Sequence, residues 1–216
     1  CGDECEARAN WFVMGNAMGD NLHMDAFETL VTDMRACQIC KGLPLGPRPL
    51  FKMDKAVKIL IAGQAPGRIT HAKGLPFDDP SGDRLRKWLG VNRDVFYDDP
   101  RIGILPMGFC FPGSGTSGDL PPREECAPTW REQALAQMPA LELVLIIGRY
   151  AIDWHMPDAK GQSITALASN WQAFWPNQLV MPHPSPRNNR WLKVNPWFEV
   201  DVIPALQSRV AGMLSS

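Results

Sequence analysis

Apolar residues in this chain gather into short runs separated by amphipathic stretches. Val57 to Ala62 is one such run, closed by Gly63, and similar runs recur at Ile102 to Pro106, Leu143 to Ile147 and Leu179 to Met181. Their length and turn-forming boundaries predict four buried β-strands. Between and before them the spacing changes to that of a helix. Phe27, Leu30, Val31 and Met34 share one helical face within residues 24 to 37, and further helices are predicted over Gly82 to Leu89 and Glu124 to Met138, with two more between Arg149 and Trp171. Strand alternating with helix predicts an α/β fold, a three-layer α/β/α domain around a central four-stranded parallel sheet. Such sheets bind ligands beyond the carboxyl ends of their strands.

Length and composition fit one domain: 216 residues, 45% of them apolar and 21% charged, suffice for a single sizeable core. We assign it to residues 24 to 216, with Met24 as a candidate start and residues 1 to 23 as an unassigned extension. No apolar stretch approaches the length of a membrane span. The first residues carry Asp3, Glu4 and Glu6 in place of a basic export signal, so a cytoplasmic protein is expected. The net charge of −1 and a pI near 6.5 provide no global attraction for nucleic acid. Any such interaction rests on local charge.

The loops after the first and last predicted strands carry the chemistry. The first reads Gly63-Gln64-Ala65-Pro66-Gly67, and the last reads His183-Pro184-Ser185-Pro186-Arg187-Asn188. In a parallel sheet both open at the same edge. Glycine lets a backbone approach a ligand closely, while proline stiffens a loop before the ligand arrives. Basic residues stand near both: Arg68, His71 and Lys73 after the first, and Arg187, Arg190 and Lys193 in and after the last, interleaved with Trp191 and Trp197. Cations of this kind neutralise phosphates, and aromatics stack or wedge. Six cysteines stand at positions 1, 5, 37, 40, 110 and 126. The pairing of Cys37 with Cys40, in a chain without an export signal, points to metal binding and away from disulfides.

On these two loops the sequence resembles the uracil-DNA glycosylase superfamily, whose motif A is a glycine-rich loop after the first strand and whose motif B begins His-Pro-Ser. The resemblance runs from about Cys37 to Phe198 and is closest to the iron-sulfur branch called family 4, in which a Gly-x-Pro-Phe segment follows motif A; here that segment is Gly74-Leu75-Pro76-Phe77. It implies a DNA glycosylase that flips out a deaminated base, uracil first, and hydrolyses its N-glycosidic bond in base excision repair. The partner is DNA with a damaged base.

Residue by residue, the resemblance implies a base pocket of Gly63, Ala65, Pro66, Gly67, Phe77, Pro106 and Met107, with Phe77 stacking on the extruded base. His183 is the implied donor to that base. Ser185, Arg187, Asn188, Arg190 and Lys193 would hold DNA, with Arg187 filling the gap left by the flipped base. Cys37, Cys40, Cys110 and Cys126 match the spacing of the family's four-iron four-sulfur ligands. Four thiolates suit such a cluster, but structural zinc uses the same set, and unligated core cysteines are a third possibility. Cys1 and Cys5 fit no pattern and read as free thiols.

Two positions depart from the family. Motif A carries Gln64 and Ala65 where the relatives place a glutamate or an aspartate, and glutamine cannot take a proton. Water is then held by Gln64 and backbone groups, or a carboxylate among Asp78, Asp79 and Asp83 substitutes. Asp78 and Asp79, directly after Phe77, are the expected catalytic pair. Secondly, the asparagine that reads uracil is replaced by Pro106, which keeps hypoxanthine and xanthine open as substrates. The same departures also suit a damage-sensing DNA-binding protein without turnover. A nucleotide-using small-molecule enzyme fits less well, since the first loop has neither the Gly-x-Gly-x-x-Gly pattern nor a P-loop lysine.

Overall fold

The computed structural model describes residues 24–116 and 118–215. The expected extension at residues 1 to 23 lies outside them. Four parallel strands, β1 (Ile59–Ala62), β2 (Ile102–Ile104), β5 (Leu143–Ile147) and β6 (Gln178–Met181), form the sheet in the order β2-β1-β5-β6. Leu60 is in register with Gly103 on one side and Val144 on the other, and Leu145 with Leu179. A short ribbon, β3 (Ser114–Gly115) and β4 (Gly118–Asp119), lies between β2 and β5 in the chain and pairs antiparallel.

Alternation along the strands explains the layers. Ile59, Ile61, Leu143, Leu145, Ile147, Leu179 and Met181 face one side, where Leu85, Trp88 and Leu89 of α3 (Pro80–Leu89), Phe96 of α4 (Arg93–Asp98) and Leu206, Val210 and Met213 of α9 (Ile203–Ser215) cover them. Leu60 faces the opposite side against Leu30 and Met34 of α1 (Ala26–Arg35) and Ala134 of α5 (Cys126–Ala136). Ala62, Ile146 and Val180 continue that face against α6 (Arg149–His155) and α7 (Ile164–Ser169). Both faces are therefore dry, and β1 is buried at every position, as a central parallel strand requires.

Local signals set the helix ends. Asp25 and Glu28 form a reciprocal capping box at α1. Asp79 caps α3 by accepting from the Gly82 N–H at 2.8 Å, Pro80 occupies its first turn, and Gly90 closes it in the left-handed region. The short helices α2 (Arg68–Lys73) and α8 (Asn189–Val194), together with α4, α9 and the ribbon, go beyond the elements expected from periodicity. No helix among the described residues is long and apolar enough to cross a membrane.

Candidate active site

Motif A leaves β1 at the carboxyl edge of the sheet, and the chain after β2 fixes its course. The Met107 N–H donates to the Gly63 carbonyl at 2.8 Å, and the Gly108 N–H to that of Gln64 at 2.9 Å. These bonds carry the ladder past the strand ends and hold the loop in one shape. Beyond it opens a cleft of about 470 Å3, counting its mouth. Gly63, Gln64, Ala65, Pro66 and Gly67 form one wall; Phe77, Asp79, Pro106 and His183 line the rest. The structure thus brings together residues more than a hundred positions apart in the chain.

Phe77 is held in an unusual conformation. Its φ of +55° is the left-handed region, uncommon for a bulky side chain, and costs roughly 1 to 3 kcal/mol. Several contacts impose it. Arg86 donates to the Phe77 carbonyl at 3.2 Å, Tyr97 donates to the Pro76 carbonyl at 2.9 Å, and the Phe77 ring meets Phe96 edge-on. Gly82 is the permissive neighbour, because a Cβ there would lie 1.7 Å from the Phe77 carbonyl oxygen. The strain fixes an aromatic ring in the cleft beside Gly63.

His183 is equally constrained. The Ser185 N–H donates to its Nδ1 at 3.2 Å, and the Asn188 amide donates to its carbonyl at 2.7 Å. With Nδ1 accepting, the neutral ring carries its proton on Nε2. Burial among protein atoms lowers the His183 pKa and Arg187 pushes the same way, while the charges of Asp79 and Asp119 oppose them. The residue keeps solvent exposure and lines the cleft. The neutral form with Nε2–H as donor is the one this environment favours. Arg84 buttresses the whole loop, donating to the Ser185 carbonyl at 3.0 Å and to Asn189 Oδ1 at 2.6 Å.

A family profile for the uracil DNA glycosylase superfamily matches residues 51–207. The chain belongs to that superfamily. A solution NMR structure of a candidate uracil DNA glycosylase from Methanosarcina acetivorans is similar at 19% identity and a TM-score of 0.44, over 74% of this chain and 98% of that one.

Several sequence expectations meet a different geometry in this superfamily member. Asp78, expected beside Asp79 as a catalytic carboxylate, does not line the cleft: Arg93 at 2.6 Å and Lys73 at 3.2 Å bind its carboxylate and hold its pKa below the usual range. Met107, expected to touch the base, packs its side chain into the core with Ala62 and Ile146, so only its backbone serves the loop. Trp191 and Trp197 are not free wedges, since each stacks edge-on against Phe198. Of the basic set after motif A, His71 is buried and Lys73 is paired, which leaves Arg68 exposed. Ser185 and Asn188 hold His183, whereas Arg187, Arg190 and Lys193 are exposed.

The Pro106 carbonyl is also engaged within the protein. Arg131, only 1% exposed, donates to it at 3.2 Å and to the Leu105 carbonyl at 2.9 Å. Its other nitrogens reach His155 Nε2 at 2.6 and 3.1 Å, so that imidazole is neutral and accepts. Burial, helped by the Arg131 charge, drives the His155 pKa down to about 3. Sequence reasoning missed Arg131 because nothing in α5 marks an arginine on its buried side as different from one facing solvent.

Behind the cleft, Cys37, Cys40, Cys110 and Cys126 line one chamber of about 340 Å3. The Trp130 indole donates to Cys37 Sγ at 3.3 Å and the Phe109 N–H to Cys126 Sγ at 3.4 Å. Burial pushes the thiols of Cys40 and Cys110 up and that of Cys126 up to about 12, and the cysteines repel one another's charge. Among the described residues no three His, Cys, Asp or Glu side chains converge on a single metal ion.

Proposed function

We propose that the protein is a base excision repair glycosylase that extrudes a deaminated base from DNA and hydrolyses its bond to C1′. The observation that carries this reading is the tautomer of His183: with Nδ1 occupied by the Ser185 N–H, its Nε2–H serves the cleft that Phe77 also lines. Extruding a base costs a few kcal/mol, least for a damaged or mispaired one, and stacking on Phe77 returns about 1 to 3 kcal/mol. As the glycosidic bond breaks, negative charge gathers on the base. A neutral donor already in place stabilises it by about 3 to 4 kcal/mol without reorganisation. Asp79, at the cleft wall, favours the positive sugar.

Uracil is the first substrate, with hypoxanthine and xanthine beside it. Pro106 presents no side-chain amide, its carbonyl is engaged by Arg131, and the Gln64 amide donates to the Leu120 carbonyl at 2.9 Å. Side-chain discrimination between base edges is therefore weak, which favours a broad range. Oligonucleotides carrying each base, incubated with the protein and then cleaved with alkali at abasic sites, test the reading. Release of any of the three supports it. Tight binding to the same oligonucleotides with no release favours instead a damage-sensing protein, the reading that Gln64 in motif A suits.

We further propose that the cysteine chamber holds a four-iron four-sulfur cluster. Four thiols around one half-buried space, three of them with N–H partners, are a suitable soft donor set. Bound there, the cluster would brace the Pro106–Cys110 segment and the Cys37–Cys40 loop and take no part in bond cleavage.

A further inference from the structure

Motif A carries Gln64 and Ala65 in place of a carboxylate, and the ribbon places Asp119 beside Gly67. We propose that Asp119 is the catalytic base that takes the proton of the attacking water, an inference that rests on the glycosylase reading. Two contacts bring the ribbon's end to motif A and a third ties it to motif B. Asp119 Oδ2 lies 3.2 Å from the point where a Cβ on Gly67 would stand, so the absence of a side chain at Gly67 is what lets the carboxylate approach. Gln64, the residue that fills the missing glutamate's position, donates to the carbonyl of the next residue, Leu120, at 2.9 Å. On the far side, Gly118 lies so close to Arg187 that a Cβ would meet its Nη1 at 2.8 Å, which sets the ribbon between motif A and motif B.

Two of the other acidic residues nearby are held in ion pairs, and Asp79, which lines the cleft, has the electrostatic role given above. Asp78 is bound by Arg93 and Lys73, Asp83 by Arg86 at 2.6 Å, and Asp79 accepts the capping N–H of Gly82. The side-chain partner of Asp119 among the described residues is a neutral hydroxyl, Ser114 Oγ, which donates to Oδ1 at 3.1 Å and leaves Oδ2 for another proton donor. Its negative charge is also felt at His183, where it favours the protonated ring. Asp119 is exposed and stands outside the lining of the cleft, against Gly67, which does line it, so a water at the cleft mouth is the one it would serve.

The step balances. Water oxygen bonds to C1′ as the C1′–N bond breaks, and the bonding pair leaves on the base against His183 Nε2–H. The water proton passes to the Asp119 carboxylate and then to solvent, and the released base takes its proton from solvent. A positioned base contributes about 10²- to 10⁴-fold to such a step.

The test is single-turnover release of whichever of uracil, hypoxanthine or xanthine the wild-type protein removes fastest. Asp119→Asn should be slower by about a hundredfold or more, with affinity for an abasic duplex unchanged. Asp119→Gly should be as slow and recover measurably on adding formate, a carboxylate small enough to take the vacated position. Release by Asp119→Asn within about threefold of wild type, or a loss of DNA affinity in step with the rate, overturns the proposal. A glycine variant that formate cannot improve overturns it as well. A wild-type protein silent on all three bases removes the glycosylase reading and this inference with it, whereas an active wild type with an equally active Asp119→Asn removes only the role of Asp119.

Discussion

The cleft and the cysteine chamber share one segment of chain, Pro106–Cys110, yet they are built on opposite terms. In the cleft, each key group is already satisfied: His183 has a donor on Nδ1, Asp79 has the Gly82 N–H, and Phe77 is locked from three sides. In the chamber, four thiols line one space, N–H groups of Trp130, Arg48 and Phe109 reach Cys37, Cys110 and Cys126, and burial resists the ionisation of Cys40, Cys110 and Cys126. The difference separates preorganisation from dependence. A site that stabilises charge during a reaction is finished when the chain folds, because later reorganisation would add to the barrier. A site that holds a cofactor is finished only when the cofactor arrives.

His183 offers the strongest way to break that contrast. His183→Ala should lower single-turnover base release by about a hundredfold or more, the scale of one lost preorganised donor, while binding to an abasic duplex stays nearly intact. If release and product binding fell together, His183 would be a loop support and the cleft would not be preorganised around a donor. Asp79→Asn keeps the helix cap and removes only the charge, so a smaller loss of about tenfold is expected in the same assay, with an unchanged unfolding midpoint.

The boundary between the two regions is tested by pH. Arg131 pins the Leu105 and Pro106 carbonyls, and among the described residues no carboxylate pairs with it; His155 meets it as a neutral acceptor. The His155 pKa falls from 6.5 to about 3 on folding, so the unfolded chain takes up a proton first as pH falls. The stability this neutral histidine contributes is complete above pH 6.5 and is lost progressively toward pH 3. Urea midpoints should therefore drop between about pH 6.5 and 4.5 by the equivalent of roughly 2 to 3 kcal/mol, and His155→Asn should flatten that drop. An identical acid slope in the variant would assign the loss to carboxylates.

On the chamber side, the purified protein should be brown with a broad visible absorbance band, and Cys110→Ser should lose the band. Its thermal midpoint should fall by about 4 to 8 °C, close to 2 kcal/mol for a domain of this size, with residual base release retained once folded. Iron and zinc both missing after anaerobic purification would remove the cluster proposal.

Most of the scaffold was legible because dry parallel strands leave unmistakable runs. Val57 to Ala62 and Leu143 to Ile147 announce the sheet, and the loops that follow announce the edge where His183 and motif A meet. Glycine and proline at Gly63, Pro66 and Pro186 marked where the chain turns. What stayed hidden depends on side-chain direction. Asp78 and Asp79 are neighbours, but the cap at Asp79 aims one toward the cleft while Arg93 and Lys73 hold the other away. Asp119 was invisible because it lies on a two-residue strand with no periodicity, and its proximity to Gly67 exists only after folding. Trp191 and Trp197 resemble wedges in sequence, and only the packing against Phe198 shows that the core has claimed them.

The smallest expected effect sharpens the comparison from outside. Arg190 and Lys193 are exposed on α8, just past the loop that carries His183, and neither forms an ion pair among the described residues. Their charge is therefore available to phosphate, which carries no sequence information and releases a counterion when it is neutralised. Charge reversal at either should weaken DNA binding by about threefold to tenfold for damaged and undamaged duplexes alike, and should lower the slope of log affinity against log salt by roughly 0.9 for each phosphate that is no longer neutralised. Base release at saturating DNA should not change, since a phosphate contact alters affinity for any duplex and takes no part in bond cleavage. A variant with weaker affinity only for damaged DNA would place α8 in recognition of the extruded base. An unchanged salt slope would mean that the DNA path runs elsewhere, with Arg68 and Arg187 as the remaining exposed cations beside the two motif loops.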